Sequence, residues 1–139
     1  MEFQLNPQLQ ADCYLLGTLD GNTLLLHKNA LVPWFILVPD TQEVELYKLP
    51  AAQQSTVQNC INQLALFVDQ YFTADKLNIA TIGNIVPQLH IHIIGRHIND
   101  FCWPNPVWGQ QQSSQYAAKD IQAIKQALSS QVHLFQLCN

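Results

Sequence analysis

Hydrophobic and polar positions along the chain predict strands first and helices later. Two apolar runs within residues 13–28 surround Asp20-Gly21, a dipeptide typical of hairpin turns. The segment PWFILVPD, residues 33–40, is apolar between its prolines, as expected of a strand buried on both faces. The first part of the chain is therefore predicted to form a hairpin followed by a third strand.

The strongest helical pattern follows these strands. Apolar residues recur every three or four positions over residues 50–73, and Pro50 suits the first position of a helix. The same spacing predicts a second, shorter helix at about residues 116–130. The segment VHLFQL, residues 132–137, could add a last strand.

Two further strand-like segments lie between the helices, at residues 76–83 and 88–95. Strands in succession with helices packed to one side predict an α+β fold with an antiparallel sheet of about five strands. The chain has neither internal repeats nor an abrupt change in composition. Residues 1–139 are therefore predicted to form a single domain.

One face of the segment 88–95 is unusual. Alternation on a strand places Gln88, His90 and His92 on one side, while the leucine and isoleucines between them point to the other. An ordinary core strand gains nothing from a face of imidazole and amide groups. The question for function is therefore what this face meets.

The residues alone leave three interpretations of the histidine pair open. The pair could lie on a solvated edge strand or hydrogen-bond within the core. It could chelate a metal with His97, Asp100 or Cys102, although His97 lies out of step with the alternation and no acidic residue adjoins the pair. It could act on phosphorus, because a neutral imidazole nitrogen can form a covalent intermediate while its neighbour stabilises the developing charge.

Composition narrows the class of protein. Charged residues make up 12% of the chain, about half the usual share, so a homo-oligomer that covers part of the surface is expected. The net charge of −4 argues against nucleic-acid binding but not against a small anion held by backbone amides and histidines. No apolar run approaches the roughly 18 residues of a membrane span, and no signal-peptide pattern is found. The four scattered cysteines suit free thiols, so a cytoplasmic protein is expected.

Three segments together resemble the histidine triad (HIT) family. The run QLHIHII is similar to its signature, His-φ-His-φ-His-φ-φ with φ apolar, with Gln88 at the first histidine position. Residues 27–40 resemble the nucleotide-binding segment of the family. Residues 76–109 resemble a bacterial branch with glutamine at that position and a Trp-Pro-x-Pro-Val-Trp-Gly loop. The resemblance covers about residues 10–110.

The resemblance implies a homodimer with one continuous sheet and an enzyme that attacks the α-phosphate of a nucleoside (poly)phosphate or dinucleoside polyphosphate. His90 corresponds to the nucleophile, oriented by the backbone carbonyl of Gln88, and His92 to a residue that contacts phosphate oxygens. No obligatory cofactor or metal is implied, and Mg²⁺ is expected only with a polyphosphate substrate. A nucleotide-binding module without turnover is the alternative.

Several binding residues are also implied by the resemblance. The phosphate-binding residues are expected to be Gly83, Asn84 and, less securely aligned, Asn78. The nucleotide-binding residues are expected to be His27 or Asn29 for the ribose, with Leu25 and Phe35 lining the base pocket. Turn formation and core packing are the alternatives for these four.

Other positions near the motif carry separate expectations. Ile85 stands near the position where some family members have a hydroxyl that assists the leaving group. Trp103 and Trp108 are expected at a core or dimer interface, or as a lid over the partner's site. Arg96 is expected at a solvated strand end, with contact to phosphate as the alternative. Activity is expected to require unprotonated His90 and to fall on acidification through roughly pH 6–7.

Overall fold

A computed structural model of the chain describes residues 2–138. Its sheet has six antiparallel strands in the order β4-β5-β3-β2-β1-β6. The strands are β1 Cys13–Leu19, β2 Asn22–His27, β3 Trp34–Val38, β4 Lys76–Ala80, β5 Ile91–Arg96 and β6 Phe135–Leu137. The helices are α1 Pro7–Asp12, α2 Ala51–Tyr71 and α3 Ala118–Gln131, with a short 3-10 turn at Leu46–Lys48.

The predicted α+β architecture is confirmed, and so are the hairpin and both predicted helices. The sheet has one strand more than expected, because the short C-terminal strand β6 pairs with β1. Helix α1 was not predicted. Its signal is Asn6-Pro7, since the Asn6 side chain accepts a hydrogen bond from the Gln8 amide and proline occupies the first helical position.

The histidine strand is shorter than predicted. Strand β4 ends at Ala80, not at residue 83, and β5 begins at Ile91, not at residue 88. The intervening connection contains Gly83 with a left-handed φ of 69°, and Pro87, which cannot donate to a sheet. His90 is therefore the last residue of the connection and directly precedes β5.

The two faces of the sheet differ in what covers them. Leu89, Ile91 and Ile93 lie in the larger core between the sheet and helices α2 and α3. The opposite face carries a smaller apolar cluster that includes Leu9 of α1 and Trp34 of β3. The predicted alternation at the histidine motif is thus observed, and the imidazoles face the side away from the long helix.

Within residues 2–138, no helix combines the length and the apolar character that crossing a membrane would require.

Candidate active site

His90 and His92 line a pocket of about 400 Å³ on the face of the sheet opposite α2. Its walls come from α1, the ends of β2 and β3, the connection before β5, and the loop that follows β5. Most of the lining is apolar, with Leu9, Trp34 and Ile36 among the contributors. The imidazoles therefore meet a cavity and not open solvent.

The ring of His90 is held by one short hydrogen bond. Its Nδ1 lies 2.7 Å from the backbone carbonyl oxygen of Gln88. A carbonyl can only accept, so Nδ1 must carry the proton and Nε2 keeps its lone pair in the neutral ring. The residue is 7% exposed. His90 thus offers an electron pair on Nε2 beside the pocket.

His92 has the opposite arrangement. The indole Nε1 of Trp34 donates to its Nδ1 at 2.9 Å, so the ring proton of a neutral His92 lies on Nε2. Burial lowers the pKa of His92 to about 3, assisted by the nearby His90 and His27. His92 therefore stays neutral at physiological pH and can donate a hydrogen bond from Nε2. The ring centroids of His92 and His90 are 4.9 Å apart.

Trp34 is itself fixed by aromatic neighbours. His27 stacks on the indole at 4.1 Å between centroids, with 12° between the planes. Trp108 meets Trp34 edge-on at 5.8 Å and His92 at 5.1 Å. Trp108 thus forms part of the pocket wall of its own chain, while Trp103 lies outside the pocket and faces the guanidinium of Arg96 at 5.4 Å.

Arg96 is not at a solvated strand end, and that expectation is wrong. The side chain is 1% exposed and forms a bidentate pair with Asp100, at 2.8 and 3.0 Å. Burial alone would raise the pKa of Asp100, but hydrogen bonds from Arg96 and from backbone amides lower it to about 2. Arg96 also donates to the Asn105 carbonyl, so the pair fixes the loop that carries Trp108.

The expected phosphate-binding residues do not all meet at the pocket. Gly83 and Asn84 line it beside His90. Asn78 instead accepts a hydrogen bond from the Arg96 guanidinium at 2.9 Å and supports the loop after β5. Asn78 lies in β4 and is not among the residues that line this pocket, so the structure does not bring it together with Gly83 and Asn84.

The expected nucleotide-binding residues divide in the same way. His27 lines the pocket, whereas Asn29 is a turn residue whose side chain bonds the amides of Leu31 and Ser114. Leu25 is buried in the apolar cluster on the pocket side of the sheet. Phe35 lies on the other face, packed against α2, because successive strand residues alternate and Ile36 faces the pocket instead.

Gln88 makes separate contacts through its backbone and through its side chain. Its backbone carbonyl orients His90, while its side chain turns to the N-terminal segment. The amide oxygen accepts from the Asn6 backbone N–H at 2.8 Å, and the amide nitrogen donates to the Gln4 carbonyl at 2.9 Å. The side chain of Gln88 thus belongs to the support of the pocket and not to its lining.

The residues considered as further metal ligands have other partners. The His97 ring contacts the carbonyls of Phe72 and Thr73, and Asp100 pairs with Arg96. Between residues 2 and 138, no group of three or more His, Cys, Asp and Glu side chains is arranged to hold a metal ion.

Sequence reasoning missed several residues of the pocket. Gln8, Leu9 and Asp12 come from α1, and Trp34 and Ile36 come from β3. Alternation could have placed Trp34 and Ile36 on one face of their strand. It could not have shown that β3 lies beside β5, because the strand order is a property of the whole sheet.

Comparison with known proteins identifies the family of this chain. The family model of the HIT domain matches residues 8–99. A histidine triad protein from Bradyrhizobium japonicum is 37% identical, with a TM-score of 0.88, over 93% of this chain and 97% of the other. A histidine triad protein from Marinobacter aquaeolei VT8 is 36% identical, with a TM-score of 0.89, over 96% and 98%. No curated protein matches the chain.

Proposed function

We propose that this chain, which belongs to the histidine triad family, hydrolyses or transfers a nucleoside phosphate through a covalent bond between His90 and the α-phosphate. The observation that carries the proposal is the 2.7 Å contact from His90 Nδ1 to the Gln88 carbonyl. It leaves Nε2 as the nitrogen with the free electron pair, which is the requirement for a histidine nucleophile.

In the first step, the lone pair of His90 Nε2 attacks phosphorus and a P–N bond forms. The bond to the leaving group breaks, and the leaving group departs with the electron pair. Water then attacks the same phosphorus, loses a proton to solvent and displaces Nε2, which recovers its electron pair. His92 donates a hydrogen bond from its Nε2–H to a non-bridging oxygen of the phosphate. Because the ring is neutral, it keeps that proton throughout.

The lining of the pocket suits a nucleotide with little charge. Trp34, Ile36 and Leu9 offer apolar surface for a base, and His27 and Asp12 offer polar atoms for a sugar. Among residues 2–138, no Lys or Arg side chain lines this pocket. A polyphosphate tail would lack a protein cation here, so Mg²⁺ would have to accompany it.

One observation favours a nucleotide-binding module without turnover as the second candidate. Ile85 is 90% exposed at the position where a hydroxyl would assist the leaving group. An isoleucine side chain can neither donate nor accept a proton. Leaving groups that need protonation would therefore depart slowly, and the site could bind nucleotides more readily than it cleaves them.

We further propose a cytoplasmic homodimer joined at the edge of the sheet. Strand β4 is an outer strand, and the exposed apolar side chains of Ile79, Ile82 and Ile85 lie on it and on the connection after it. Unpaired edge strands with apolar side chains are surfaces for strand pairing. All four cysteines are free thiols in the structure, which supports a reducing compartment.

The test combines turnover with the mass of the intact protein. An adenylated fluorogenic substrate is mixed with the wild type, with His90→Ala and with His133→Ala. His133 is the control because it is exposed and does not line this pocket. The wild type and His133→Ala should turn over and gain the mass of one nucleotide after rapid quenching. His90→Ala should do neither, whereas nucleotide binding without turnover or adduct in the wild type would favour the module.

A further inference from the structure

We propose that the side chain of Gln88 positions the N-terminal segment, residues 2–12, as a wall of the pocket and so sets the affinity for the substrate. This inference rests on the proposed function, because it assigns the segment a part in nucleotide binding. The supporting observation is that the side-chain amide of Gln88 forms hydrogen bonds with two backbone groups of the segment. Gln88 lies two positions before His90, the residue proposed as nucleophile.

The two hydrogen bonds are complementary. The amide oxygen of Gln88 accepts from the Asn6 N–H at 2.8 Å, and its amide nitrogen donates to the Gln4 carbonyl at 2.9 Å. One side chain therefore bonds both a donor and an acceptor of an extended segment that lies more than 80 positions away in sequence. Such a contact holds the segment in one place along the connection before β5.

The held segment continues directly into the pocket wall. Asn6 also caps α1, because its side-chain oxygen accepts from the Gln8 amide at 2.8 Å. From that helix Leu9 is buried in the cluster that contains Trp34, while Gln8 and Asp12 line the pocket. A six-residue helix is too short to hold itself in place, so its position depends on contacts such as these.

The two functions of Gln88 can be separated by mutation. His90 is bonded to the backbone carbonyl of residue 88, which every substitution retains. The segment is bonded to the side chain, which a substitution removes. A change in the side chain should therefore affect substrate affinity more than the chemical step.

The experiment uses Gln88→Met, which removes both hydrogen bonds, and Gln88→Glu, which keeps an acceptor for Asn6 but loses the donor to Gln4. The control is Gln54→Met, because Gln54 likewise donates to two backbone carbonyls, those of Tyr47 and Leu49, away from this pocket. Amide exchange of Asn6, AMP affinity, and kcat and KM with the adenylated fluorogenic substrate are measured for each protein.

In Gln88→Met we expect the Asn6 amide to exchange about threefold to tenfold faster, the range that corresponds to one lost hydrogen bond. The Kd for AMP and the KM should rise by a similar factor, with a smaller change in kcat. Gln88→Glu should keep Asn6 protected and show an intermediate KM. Gln54→Met should match the wild type in all of these measurements.

Three results would overturn the inference. Unchanged Asn6 exchange in Gln88→Met would show that the side chain does not hold the segment. Faster exchange with unchanged Kd and KM would show that the segment does not shape the site. A fall in kcat alone would place the effect at His90. If the wild type neither binds AMP nor turns over substrate, the proposed function fails, while the exchange measurement still shows whether Gln88 holds the segment.

Discussion

At the scale of single residues, the site rests on two imidazoles with opposite proton positions. His90 presents a lone pair on Nε2 because its Nδ1–H donates to a carbonyl, and His92 presents an N–H because an indole donates to its Nδ1. The sequence predicted that the two rings share a face, since alternation is a local property of a strand. It could not predict the indole of Trp34, which reaches His92 from a neighbouring strand.

Replacement of Trp34 by Phe tests the role of the indole. The variant keeps an aromatic ring but loses the donor to His92 Nδ1, so the His92 proton can move to that nitrogen. We expect kcat to fall by about tenfold, less than the loss of roughly 10²–10³ seen when a charge-stabilising donor is deleted outright. Nitrogen NMR should show both tautomers of His92 in the variant and one in the wild type. An unchanged kcat would contradict this role.

The low pKa of His92 also makes a prediction about stability. Between pH 6.5 and about 3 the unfolded chain binds a proton at His92 that the folded chain does not, so the free energy of unfolding falls on acidification. From pH 6.5 to pH 5 the loss should be about 2 kcal/mol.

Urea unfolding of the wild type and of His92→Gln at pH 7 and pH 5, at one protein concentration, measures this loss. Glutamine can accept the Trp34 hydrogen bond but does not titrate, so the variant should lose about 2 kcal/mol less than the wild type. Equal losses would mean that His92 is protonated in the folded protein. The fall in activity through pH 6–7 stays a separate prediction, to which His92, being neutral, does not contribute.

At the scale of elements, the strongly periodic segments were predictable and the connecting ones were not. Helix α2 follows from an apolar repeat over six turns, and β3 from an unbroken apolar run. The loop after β5 depends on the contacts of Arg96 with Asn78 in β4 and with Asp100. The connection before β5 depends on the contacts of Gln88 with the N-terminal segment, more than 80 positions away. No local pattern indicates that an arginine next to a histidine motif will be buried.

Substitution Asp100→Ala tests the anchoring of the loop after β5. It leaves the Arg96 guanidinium buried without its ionic partner, which should lower the free energy of unfolding by about 3–5 kcal/mol. The matched control is Asp69→Ala on the exposed side of α2, for which we expect a change within about 0.5 kcal/mol. Equal effects of the two substitutions in urea unfolding would show that the buried pair does not anchor the loop.

At the scale of the whole molecule, the low share of charged residues and the exposed edge of the sheet both support the proposed homodimer. Composition predicted that some surface is covered. Exposed apolar side chains lie beside both outer strands, β4 and β6, and β4 is the longer of the two. Which edge would be used was not predictable from the sequence, because it depends on the order of strands in the finished sheet.

The proposed dimer should have a mass in solution of about twice the 15.8 kDa of one chain, measured by sedimentation equilibrium. Ile79→Lys places a charge on the edge strand and should shift the protein toward the monomer. Leu15→Lys, at a similarly exposed position on β1, which three strands separate from β4, should leave the mass unchanged. A wild type that sediments as a monomer, or an Ile79→Lys variant that stays dimeric, would contradict pairing at β4.

The location of the phosphorus–nitrogen bond is the most direct test of the account. Protein labelled with ¹⁵N in its histidines is mixed with the adenylated substrate, quenched in alkali and examined by ³¹P–¹⁵N coupling and by peptide mapping. The proposed mechanism predicts one nucleotidyl group, on Nε2 of His90. A bond at Nδ1, a bond to another residue, or turnover with no bond to any histidine would contradict it.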